Sequence, residues 1–598
     1  MILVFGGTTE GRIAAKELEE SGSKFFYSTH DGFQQLSLHN GVILSGAMDE
    51  AQMESFCQSN GVRLIIDAAH PFASELHVNI NRAGERLNIP VIRFERIYPQ
   101  RDSRFIWCNT LSDAITKLSK KEDFSLGVKR LLSTAGVKSI PKLKVLKDSE
   151  IEVYHRILDR ESSLAIAKEN GVDEAHLCYY SKEEDPSKVL EEIKPDAILL
   201  KESGLSGGFI EKAEAALKRG IKIFAIERPA LPEGFITVNG PYGMRRMVEK
   251  LLPEFYPLHS GLTTGSCATA ATLAAATSII EGTNPSSVDI FLPDGESINI
   301  ETFCTKQGSA YVVKDSGDDP DVTDKMEIHA EVELLNTSDI EIDGGEGVGR
   351  ITLPGFDFPP GSAAINKGPR KMIEDNLRAR FSNRGFKVTI SVPGGEEIAH
   401  RTFNPRLGIE GGISIIGVSG IIKPFSEEGF INSVKKCMEV AKASQSERVV
   451  INSGAKSEGF LKEFYKQLPP QAFVQYGNKI GDTISIAYSL GFKHISLGIM
   501  LGKAVKLAAG NLDTHSSSVT MDRDFICSLL KEAGCAEEIA DKAYTITLAR
   551  ELWDIVPAEN MQTFVNTVIA KCRNVCSPLC PNAELTVLLI SEEGTIFF

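Results

Sequence analysis

A short turn near the start of the chain, GGTTEGR from Gly6, has the residue types of a nucleotide-binding turn. Glycines let a backbone approach a pyrophosphate, threonine hydroxyls can donate to it, and a helix that starts here directs its free amides at the phosphates. The spacing differs from GxGxxG, so a simple tight turn between a strand and a helix is equally consistent with it. The predicted dinucleotide contacts are Gly6, Gly7, Thr8, Thr9 and Gly11.

The second expected strand ends at Ser28, Thr29 and His30, where dinucleotide-binding folds carry an acidic residue for the ribose 2'-hydroxyl. The absence of that residue favours a phosphorylated ribose and makes Ser28 a candidate contact. Asp31 follows closely enough to leave the choice between NADH and NADPH open.

Three further polar loops are expected at strand ends, namely DAAHPFA from Asp67, KESG from Lys201 and ERP from Glu227. The carboxyl ends of parallel strands meet at one edge of a sheet, where ligands bind. By itself, Asp67 or His70 is more typical of a helix cap, and Arg228 of a surface ion pair. The prediction of a site therefore depends on the three loops together, and its ligand contacts would be Lys201, Ser203 and Arg228.

A helix start lies near the middle of the chain, in LHSGLTTGSCATAATLAAAT from Leu258. The alanine-rich segment predicts a helix from Cys267 to about Ile280, with Ser266 or Thr264 as its cap. The amides and hydroxyls from Thr263 to Ser266 could bind an anionic group of a substrate. A structural helix after a linker is the more usual meaning of such a pattern.

Two later loops carry further candidates. KDSGDDPD from Lys314 holds four carboxylates in seven positions, which favours a solvated turn, unless one of them, Asp318, contacts a cofactor. The next loop permits close backbone approach to a flat or anionic ligand, although a glycine-rich hairpin is equally consistent. Its candidates are Asp343, Gly344, Gly345, Gly347 and Gly349.

Lys503 and His515, with Lys506 and Thr514 nearby, form a basic and hydroxyl-bearing group. Such a group could meet the carboxylates of a substrate. A helix face followed by a loop is the structural alternative, and it is slightly favoured.

The elements that position these residues follow from hydrophobic periodicity. Over the first 250 residues, short apolar runs alternate with helical stretches, which predicts parallel sheets covered by helices on both faces. A second series begins at Arg130, so we predict two Rossmann-like α/β lobes with a hinge between about Arg93 and Lys129. The early elements are strands at residues 2–5, 25–28 and 64–67, a helix at residues 11–20 and a helix ending near Leu87.

The rest of the chain predicts an α+β domain and then a small parallel α/β domain. Residues 288–392 are strand-rich with one helix near Pro369. From Gly411, four apolar strands alternate with helices, GISIIGVSG, RVVINSG, AFVQYGNK and HISLGIM. Their ends form a second candidate cofactor pocket, at Gly417, Ser419, Gly420, Asn452, Ser453, Gly454, Gly477 and Asn478. The predicted domains are residues 1–252, a linker 253–260, residues 261–410, and residues 411–598 with C-terminal helices.

Bulk properties exclude several classes of function. The formal net charge of −15 disfavours binding to nucleic acid or to an anionic membrane, and no apolar run is long enough to span a bilayer. Eleven cysteines without framework spacing, and a start without the features of a signal peptide, predict a cytoplasmic protein. Cys572, Cys576 and Cys580 lack the spacing of a metal site, so no metal is predicted. An oligomer is possible.

The first 250 residues resemble the precorrin-6A reductase family. The resemblance is carried, in order, by GGTTEGR, DAAHPFA, RFERIYP from Arg93, KESG and IERPALP from Ile226. It implies NAD(P)H-dependent reduction of a macrocycle double bond, with the dinucleotide on the first lobe and the tetrapyrrole between the lobes. Ala69 and the KESGL run depart from the family pattern. His70 and Asp67 would then be the candidates for proton transfer.

Residues 258–598 resemble the cobalt-precorrin-5B C1-methyltransferase family. The motifs are LTTGSCATAATLAAAT, VVKDSGDDPDVT from Val312, IDGGEGVGRITLPG from Ile342 and GKAVKLAAGNLDTHSS from Gly502, with departures at His259 and Leu262. The resemblance implies methyl transfer from S-adenosylmethionine to a ring carbon of a tetrapyrrole, with cobalt as part of the substrate. The acidic, glycine-rich loop at Asp343 would suit that cofactor.

Together the two resemblances predict a bifunctional enzyme of corrin ring synthesis that methylates first and reduces second. The alternative is a scaffold that binds tetrapyrrole and nucleotide and has only one active half.

Overall fold

The computed structural model describes residues 1–30, 36–119, 127–180, 185–424, 426–515 and 519–598. Asp31, the alternative ribose contact, lies outside these ranges. The chain forms two units, Met1–His259 with Asp294–Ile298, and Ser260–Pro293 with Asn299–Phe598. Within the described ranges, every helix is too short or too polar to cross a bilayer.

The first unit contains two six-stranded sheets. Its strands are β1 Ile2–Phe5, β2 Phe25–Thr29, β3 Gly41–Ser45, β4 Leu64–Asp67, β5 Val91–Glu95, β6 Ile106–Cys108, β7 Arg130–Ser133, β8 Glu152–Leu158, β9 Leu177–Tyr180, β10 Ala197–Lys201, β11 Lys222–Ile226 and β12 Phe235–Asn239. Its helices are α1 Thr9–Glu19, α2 Glu50–Ser59, α3 Ser74–Leu87, α4 Leu111–Ser119, α5 Ile140–Leu143, α6 Glu161–Glu169, α7 Pro186–Ile193, α8 Phe209–Leu217 and α9 Gly240–Leu251.

Both sheets are parallel throughout, in the orders β12-β5-β4-β1-β2-β3 and β6-β11-β10-β7-β8-β9. The prediction of two Rossmann-like lobes is confirmed, and the bounds of β1 and β4 agree with the sequence pattern. Parallel strands place all their carboxyl ends at one edge, so each lobe has one edge for ligands.

The last strand of the unit returns to the first sheet, which the sequence pattern did not predict. β12 pairs with β5, and α9 packs Met244 and Val248 into the core of the first lobe. The first lobe therefore needs the end of the unit to complete its core.

From residue 260 the chain forms smaller sheets. The strands are β13 Gly261–Leu262, β14 Ser287–Phe291, β15 Ser297–Glu301, β16 Phe303–Lys306, β17 Ser309–Val313, β18 Glu327–Leu335, β19 Ile340–Gly344, β20 Arg350–Ile351, β21 Gly385–Ser391, β22 Ile409–Glu410, β23 Ile421–Ile422, β24 Arg448–Asn452, β25 Phe473–Gln475, β26 His494–Met500, β27 Glu584–Ile590 and β28 Ile596–Phe597. The helices are α10 Thr264–Ile280, α11 Lys367–Arg380, α12 Gly395–Ala399, α13 Asn404–Leu407, α14 Glu427–Ala443, α15 Ala455–Phe464, α16 Ile480–Ser489, α17 Leu501–Ala508, α18 Arg523–Glu532, α19 Glu537–Ala540, α20 Leu552–Ile555 and α21 Ala558–Cys576.

Helix α10 is the central element of the α+β part. It is buried along almost its whole length and packs against β17, β18 and α11. Its alanines allow close approach on all sides, and Thr269, Thr272 and Thr277 satisfy their hydroxyls on carbonyls four residues earlier, at 2.7 to 2.9 Å. A helix with polar residues can therefore lie in the core without unpaired hydroxyls.

The parallel domain is present, but one of its predicted strands is wrong. Its sheet has the order β25-β24-β26-β27-β28, and β27 comes from the end of the chain. The segment GISIIGVSG lies elsewhere, because Ile413 and Ile415 form isolated bridges with Val348 and Ile365. An apolar run fits both environments, and only the long-range pairing distinguishes them. The predicted domain boundary at residue 410 stays a prediction.

Candidate functional site

The turn after β1 begins helix α1. Thr8 caps this helix, since its hydroxyl accepts from the Gly11 amide at 3.0 Å and donates to the Ala68 carbonyl at 2.6 Å. Gly7 has φ +88°, a conformation that favours glycine, and no atom lies within 4 Å of where its Cβ would be. The turn thus has space beside the Gly7 Cα, while the Thr8 hydroxyl is engaged within the protein. The Thr9 hydroxyl accepts from Arg12 at 3.3 Å.

Tyr27 explains the other two glycines of this turn. A Cβ on Gly6 or Gly11 would overlap the Tyr27 ring or hydroxyl, and the Gly7 amide donates to that hydroxyl at 3.2 Å. These two glycines are therefore required by packing inside the lobe. Ser28 is buried at the end of β2, and its carbonyl accepts from the Gly6 amide at 2.9 Å.

Asp67 lies at the centre of a fully buried polar cluster at the end of β4. Its carboxylate contacts the His77 ring at 2.6 Å, Arg93 at 3.0 Å and the Ala69 amide at 3.0 Å. Burial raises its pKa, but the His77 hydrogen bond and the Arg93 charge outweigh that effect and lower it. The carboxylate is thus held ionised by partners that the sequence pattern did not pair with it.

His70, three residues on, is uncharged near neutral pH. Burial, followed by the charges of Arg96, Lys201 and Arg93, lowers its pKa to about 3. Its Nδ1 accepts from the Phe72 amide at 3.2 Å, which leaves the ring proton on Nε2. The ring can accept or donate a hydrogen bond, but it is not a cationic acid.

The loops after β10 and β11 belong to the second lobe. Glu202 is buried and binds Arg101 at 2.9 Å and the side chain of Arg228 at 3.3 Å. The Arg228 guanidinium also lies 3.7 Å from the centre of the Tyr98 ring. Two of the predicted substrate contacts, Arg228 and Ser203, are therefore partly engaged; Arg96 donates to the Ser203 carbonyl at 2.7 Å.

Hydrogen bonds of a buried ion pair link the two lobes of the first unit. Arg96 binds Glu10, in the first turn of α1, at 2.9 Å and also reaches Ser203 in the second lobe. Ser206 donates to the other oxygen of Glu10. The turn at Gly6 and the KESG loop are thus connected through Glu10 and Arg96, a link between positions too distant in sequence for a local pattern to reveal.

In the second unit, the start of α10 is fully engaged. Thr263 is the cap, since its hydroxyl accepts from the Ser266 amide at 3.1 Å, so the prediction of Ser266 or Thr264 as the cap is wrong. Ser266 donates to the Gly420 carbonyl at 2.7 Å, and Thr264 accepts from the Ile416 amide at 2.8 Å. The segment GISIIGVSG, which lies outside the parallel sheet, provides the hydrogen-bond partners of the Ser266 and Thr264 hydroxyls.

The acidic loop is organised by a buried lysine. Lys314 is fully buried; it binds Asp321 at 2.9 Å and also donates to Ser316. Burial raises the pKa of Asp321, but Lys314 and Thr323 outweigh it and lower that pKa. Asp318 is exposed on the same loop.

The glycine-rich loop packs against its own domain. A Cβ on Gly347 would overlap the Val392 carbonyl. A Cβ on three other glycines of the loop would overlap a side chain: Val348 at Gly344, Ser391 at Gly345 and Ile409 at Gly349. Asp343 is paired with Arg350 at 2.6 Å. Protein atoms therefore fill the space beside these glycines that a bound ligand would need.

The carboxyl edge of the parallel sheet is more open. Gly454, after β24, and Gly502, at the start of α17 after β26, have no atom within 4 Å of their Cβ positions. Lys503 donates to the Gly477 carbonyl, and Thr514 bonds the Asn478 carbonyl through its amide at 3.0 Å. His515 is exposed beside them. Lys503 thus contacts Gly477, and Thr514 contacts Asn478, two residues of the second predicted cofactor pocket.

The chain thus has the architecture of two successive proteins: two Rossmann-like α/β lobes, followed in sequence by an α+β part and a parallel α/β part. Residues 1–244 match the family model "Precorrin-6x reductase CbiJ/CobK", residues 253–424 match CbiD, and residues 513–598 match the CbiD C-terminal domain. The cobalt-precorrin-5B C(1)-methyltransferase of Prosthecochloris aestuarii is 42% identical over 352 residues, covering 57% of this chain and 95% of that protein. The Thermus thermophilus enzyme of the same name is 39% identical over 313 residues, covering 52% and 84%.

The chain belongs to the cobalt-precorrin-5B C(1)-methyltransferase family. A precorrin-6x reductase domain precedes the methyltransferase part in the sequence. It therefore combines an oxidoreductase and a methyltransferase of cobalamin biosynthesis, which confirms both resemblances.

Two solved structures are also similar to parts of the chain. The cobalamin biosynthesis protein CbiD of Archaeoglobus fulgidus is 26% identical with TM-score 0.25, covering 46% of this chain and 85% of that one. A CobK precorrin-6A reductase is 21% identical with TM-score 0.35, covering 42% and 96%. Both TM-scores are below 0.5, so the family assignment depends on the sequence matches.

Proposed function

We propose that this chain transfers a methyl group from S-adenosylmethionine to C1 of cobalt-precorrin-5B and then reduces the (cobalt-)precorrin-6A product with NAD(P)H, in the cytoplasm. The observation that carries the proposal is the succession of a reductase match and a methyltransferase match in one chain. Each of the two units contains parallel strands with polar loops at their carboxyl edge, the usual place for a ligand in such folds.

The turn at Gly7 fits a dinucleotide pyrophosphate. Space is open beside the Gly7 Cα, and the amides of Thr9 and Glu10 lie in the first turn of α1, where a helix provides no intrahelical acceptor for them. Glu10 would repel phosphate, but Arg96 neutralises it at 2.9 Å. When bound, the nicotinamide supplies the hydride. The protein holds the pyrophosphate by backbone amides, orients the ring and provides a proton.

For S-adenosylmethionine, the geometry favours the edge of the parallel sheet over the glycine-rich loop. Cofactor contacts by Asp318, by Asp343 and by the glycines of the loop from Gly344 to Gly349 remain a prediction. Protein atoms fill the space beside those glycines. Gly454 and Gly502 leave space at the ends of two adjacent strands, β24 and β26. When bound, the cofactor supplies the methyl group. The chain's task is to align cofactor and ring carbon, which needs positioning more than acid-base chemistry.

Cations near this edge can hold the carboxylates of the macrocycle. Lys503 and Lys506 lie on α17, where burial first and then the charge of Lys506 lower the pKa of Lys503. His515 is exposed on the loop that follows. Lys503 and His515 therefore remain the proposed substrate contacts of the methyltransferase half, whereas the hydroxyls of Thr263, Thr264 and Ser266 are engaged by their own domain.

A two-stage assay tests the function. The purified chain is incubated with cobalt-precorrin-5B and S-adenosylmethionine, and NADH or NADPH is then added. We expect one methyl group per ring by mass spectrometry and then oxidation of one nicotinamide per ring. Two outcomes would show a chain with only one active half. One is methylation without nicotinamide oxidation; the other is reduction of supplied precorrin-6A by a chain that does not methylate cobalt-precorrin-5B.

The position of the methyl donor is tested by two glycine substitutions. Gly454→Val should weaken S-adenosylmethionine binding at least tenfold, about 1.4 kcal/mol, and leave the unfolding midpoint unchanged, because its side chain enters open space. Gly347→Ala should instead destabilise the domain by about 1–3 kcal/mol, because its Cβ would overlap the Val392 carbonyl. Calorimetric titration and thermal unfolding measure the two effects. Unchanged affinity in Gly454→Val would contradict the sheet-edge site.

A further inference from the structure

We propose that the Lys201 ammonium, and not His70, gives the proton that accompanies hydride transfer in the reductase half. The inference deepens the proposed function, since it assumes NAD(P)H-dependent reduction at the edge shared by the two lobes. It assigns a catalytic role to a residue that the sequence pattern gave only as a substrate contact.

Lys201 lies where loops of the two lobes meet. It is the last residue of β10, and its Nζ lies 5.0 Å from the centre of the Phe72 ring, which comes from the loop after β4. Its side chain is partly buried. Its charge also acts on His70, on the same first-lobe loop as Phe72. The ammonium therefore lies where loops at the carboxyl edges of both sheets meet, which is where we place the macrocycle.

Four arginines of this edge are already paired with carboxylates. Arg93 binds Asp67, Arg96 binds Glu10, and Arg101 and Arg228 both bind Glu202. For Lys201, the described part of the chain provides a ring contact with Phe72 and a repulsive neighbour, Lys138, but no ion pair with a carboxylate. Lys201 therefore differs from these arginines in two respects: it has no carboxylate partner in the described residues, and an ammonium can release a proton that a guanidinium holds.

His70 is unsuited to the same role. Its pKa of about 3 leaves the imidazole neutral at any pH where the enzyme would work, so it carries no readily lost proton. Its Nδ1 is occupied by the Phe72 amide at 3.2 Å. The neutral ring can instead hold a polar group of the substrate close to Lys201.

The proton balance of the step is simple. A hydride, with its two electrons, adds to one carbon of a conjugated double bond of the macrocycle, and the electron pair of that bond moves to the far end of the conjugated system. Lys201 breaks an N–H bond to protonate that atom and becomes a neutral amine, which then takes a proton from water. Burial, and then the charge of Lys138, lower the pKa of Lys201 and so make this transfer easier near neutral pH.

Steady-state kinetics of three variants test the role. Lys201→Met should lower kcat for precorrin-6A reduction at least 100-fold, within the range for loss of a general acid, while KM changes less than threefold. Lys201→Arg should be equally slow, because it keeps the charge but holds its proton too tightly. Lys144→Gln, at an exposed lysine of the same lobe, is the matched control and should retain activity.

A lysine that only binds a carboxylate of the substrate would behave differently. In that case Lys201→Arg would restore kcat, and Lys201→Met would raise KM instead of lowering kcat. Either result overturns the inference. Thermal unfolding of each variant verifies that both remain folded.

A second measurement uses the protein without ligands. The pH dependence of lysine labelling by acetic anhydride, read by mass spectrometry, should give Lys201 a midpoint below the ordinary pKa of a lysine side chain. A midpoint at or above the ordinary value overturns the inference. If the wild type and the Lys201→Met variant are equally active, the inference about Lys201 is wrong but the proposed function stands. If the wild type oxidises no nicotinamide, both the inference and the proposed function are wrong.

Discussion

Asp67 and His70 are only three residues apart, yet the structure gives them opposite electrostatic environments. Asp67 is fully buried but has Arg93 and His77 as partners, so its pKa is lowered and it stays charged. His70 is placed among cations, so its pKa is lowered and it stays neutral. The same loop therefore contains a structural carboxylate and an uncharged imidazole, and neither is a free acid.

The neutral state of His70 predicts a pH dependence of stability. Its pKa is about 3 in the folded protein and about 6.5 in an unfolded chain, so the unfolded state binds the extra proton between these values. Its stabilising contribution is complete above pH 6.5 and is lost as the pH falls towards 3, at up to about 1.4 kcal/mol per pH unit. We expect His70→Gln to flatten the fall in the free energy of unfolding between pH 6.5 and 5.

Urea unfolding followed by tryptophan fluorescence can make this measurement on one unit. The chain has two tryptophans, Trp107 and Trp553, so a Trp553→Phe background leaves Trp107 to report on the first unit. His400→Gln, at an exposed histidine of the other unit, is the control. An equal pH slope in the His70→Gln and parent chains would refute the assigned charge state.

At the scale of elements, α10 shows how a sequence motif can have a structural cause. Its alanines and threonines form a helix buried on nearly all sides, against β17, β18 and α11. Its first turn bonds to the segment that ends at Gly420. The first methyltransferase motif and the GISIIGVSG segment are thus neighbours, because that segment bonds to the N-terminus of α10.

This packing predicts that α10 tolerates no larger side chain. Ala274→Leu should lower the free energy of unfolding of the second unit by about 1–3 kcal/mol, because Ala274 is fully buried and a larger group must displace its neighbours. Fluorescence of Trp553 in a Trp107→Phe background measures the change. Ala165→Leu, at an exposed alanine of α6, is the control. Equal stability of the Ala274→Leu and parent chains would mean that α10 has free space around it.

At the scale of the whole molecule, one chain carries two activities that the family resemblance places in succession. Covalent linkage keeps a reductase site at a high effective concentration for each intermediate that a methyltransferase site releases. We therefore expect nicotinamide oxidation from cobalt-precorrin-5B to begin after a lag that is insensitive to an approximately tenfold excess of a competitor chain with an inactive methyltransferase and an active reductase. Stopped-flow absorbance measures the lag. A lag that shortens with added competitor would mean that the intermediate passes freely through solution.

Sequence patterns were sufficient for what depends on local order. The alternation of apolar and helical segments identified the two lobes, and β1 and β4 have the predicted bounds because a buried strand needs a short continuous apolar run. Ordered motifs carried the family assignment. The positions of Lys201 and Gly454 at strand ends also followed from local order, because a strand followed by a polar loop marks a carboxyl edge.

Only the tertiary structure decided which of those residues remain available. The pairing of Asp67 with Arg93, the overlap that reserves Gly6 for Tyr27 and the bond from Ser266 to Gly420 all join positions at least 20 residues apart. The return of β12 to the first sheet and the displacement of GISIIGVSG from the parallel sheet have the same origin. Local pattern states what a segment can form, whereas burial and charge pairing depend on which distant segment it meets, and that is fixed only when the chain is folded.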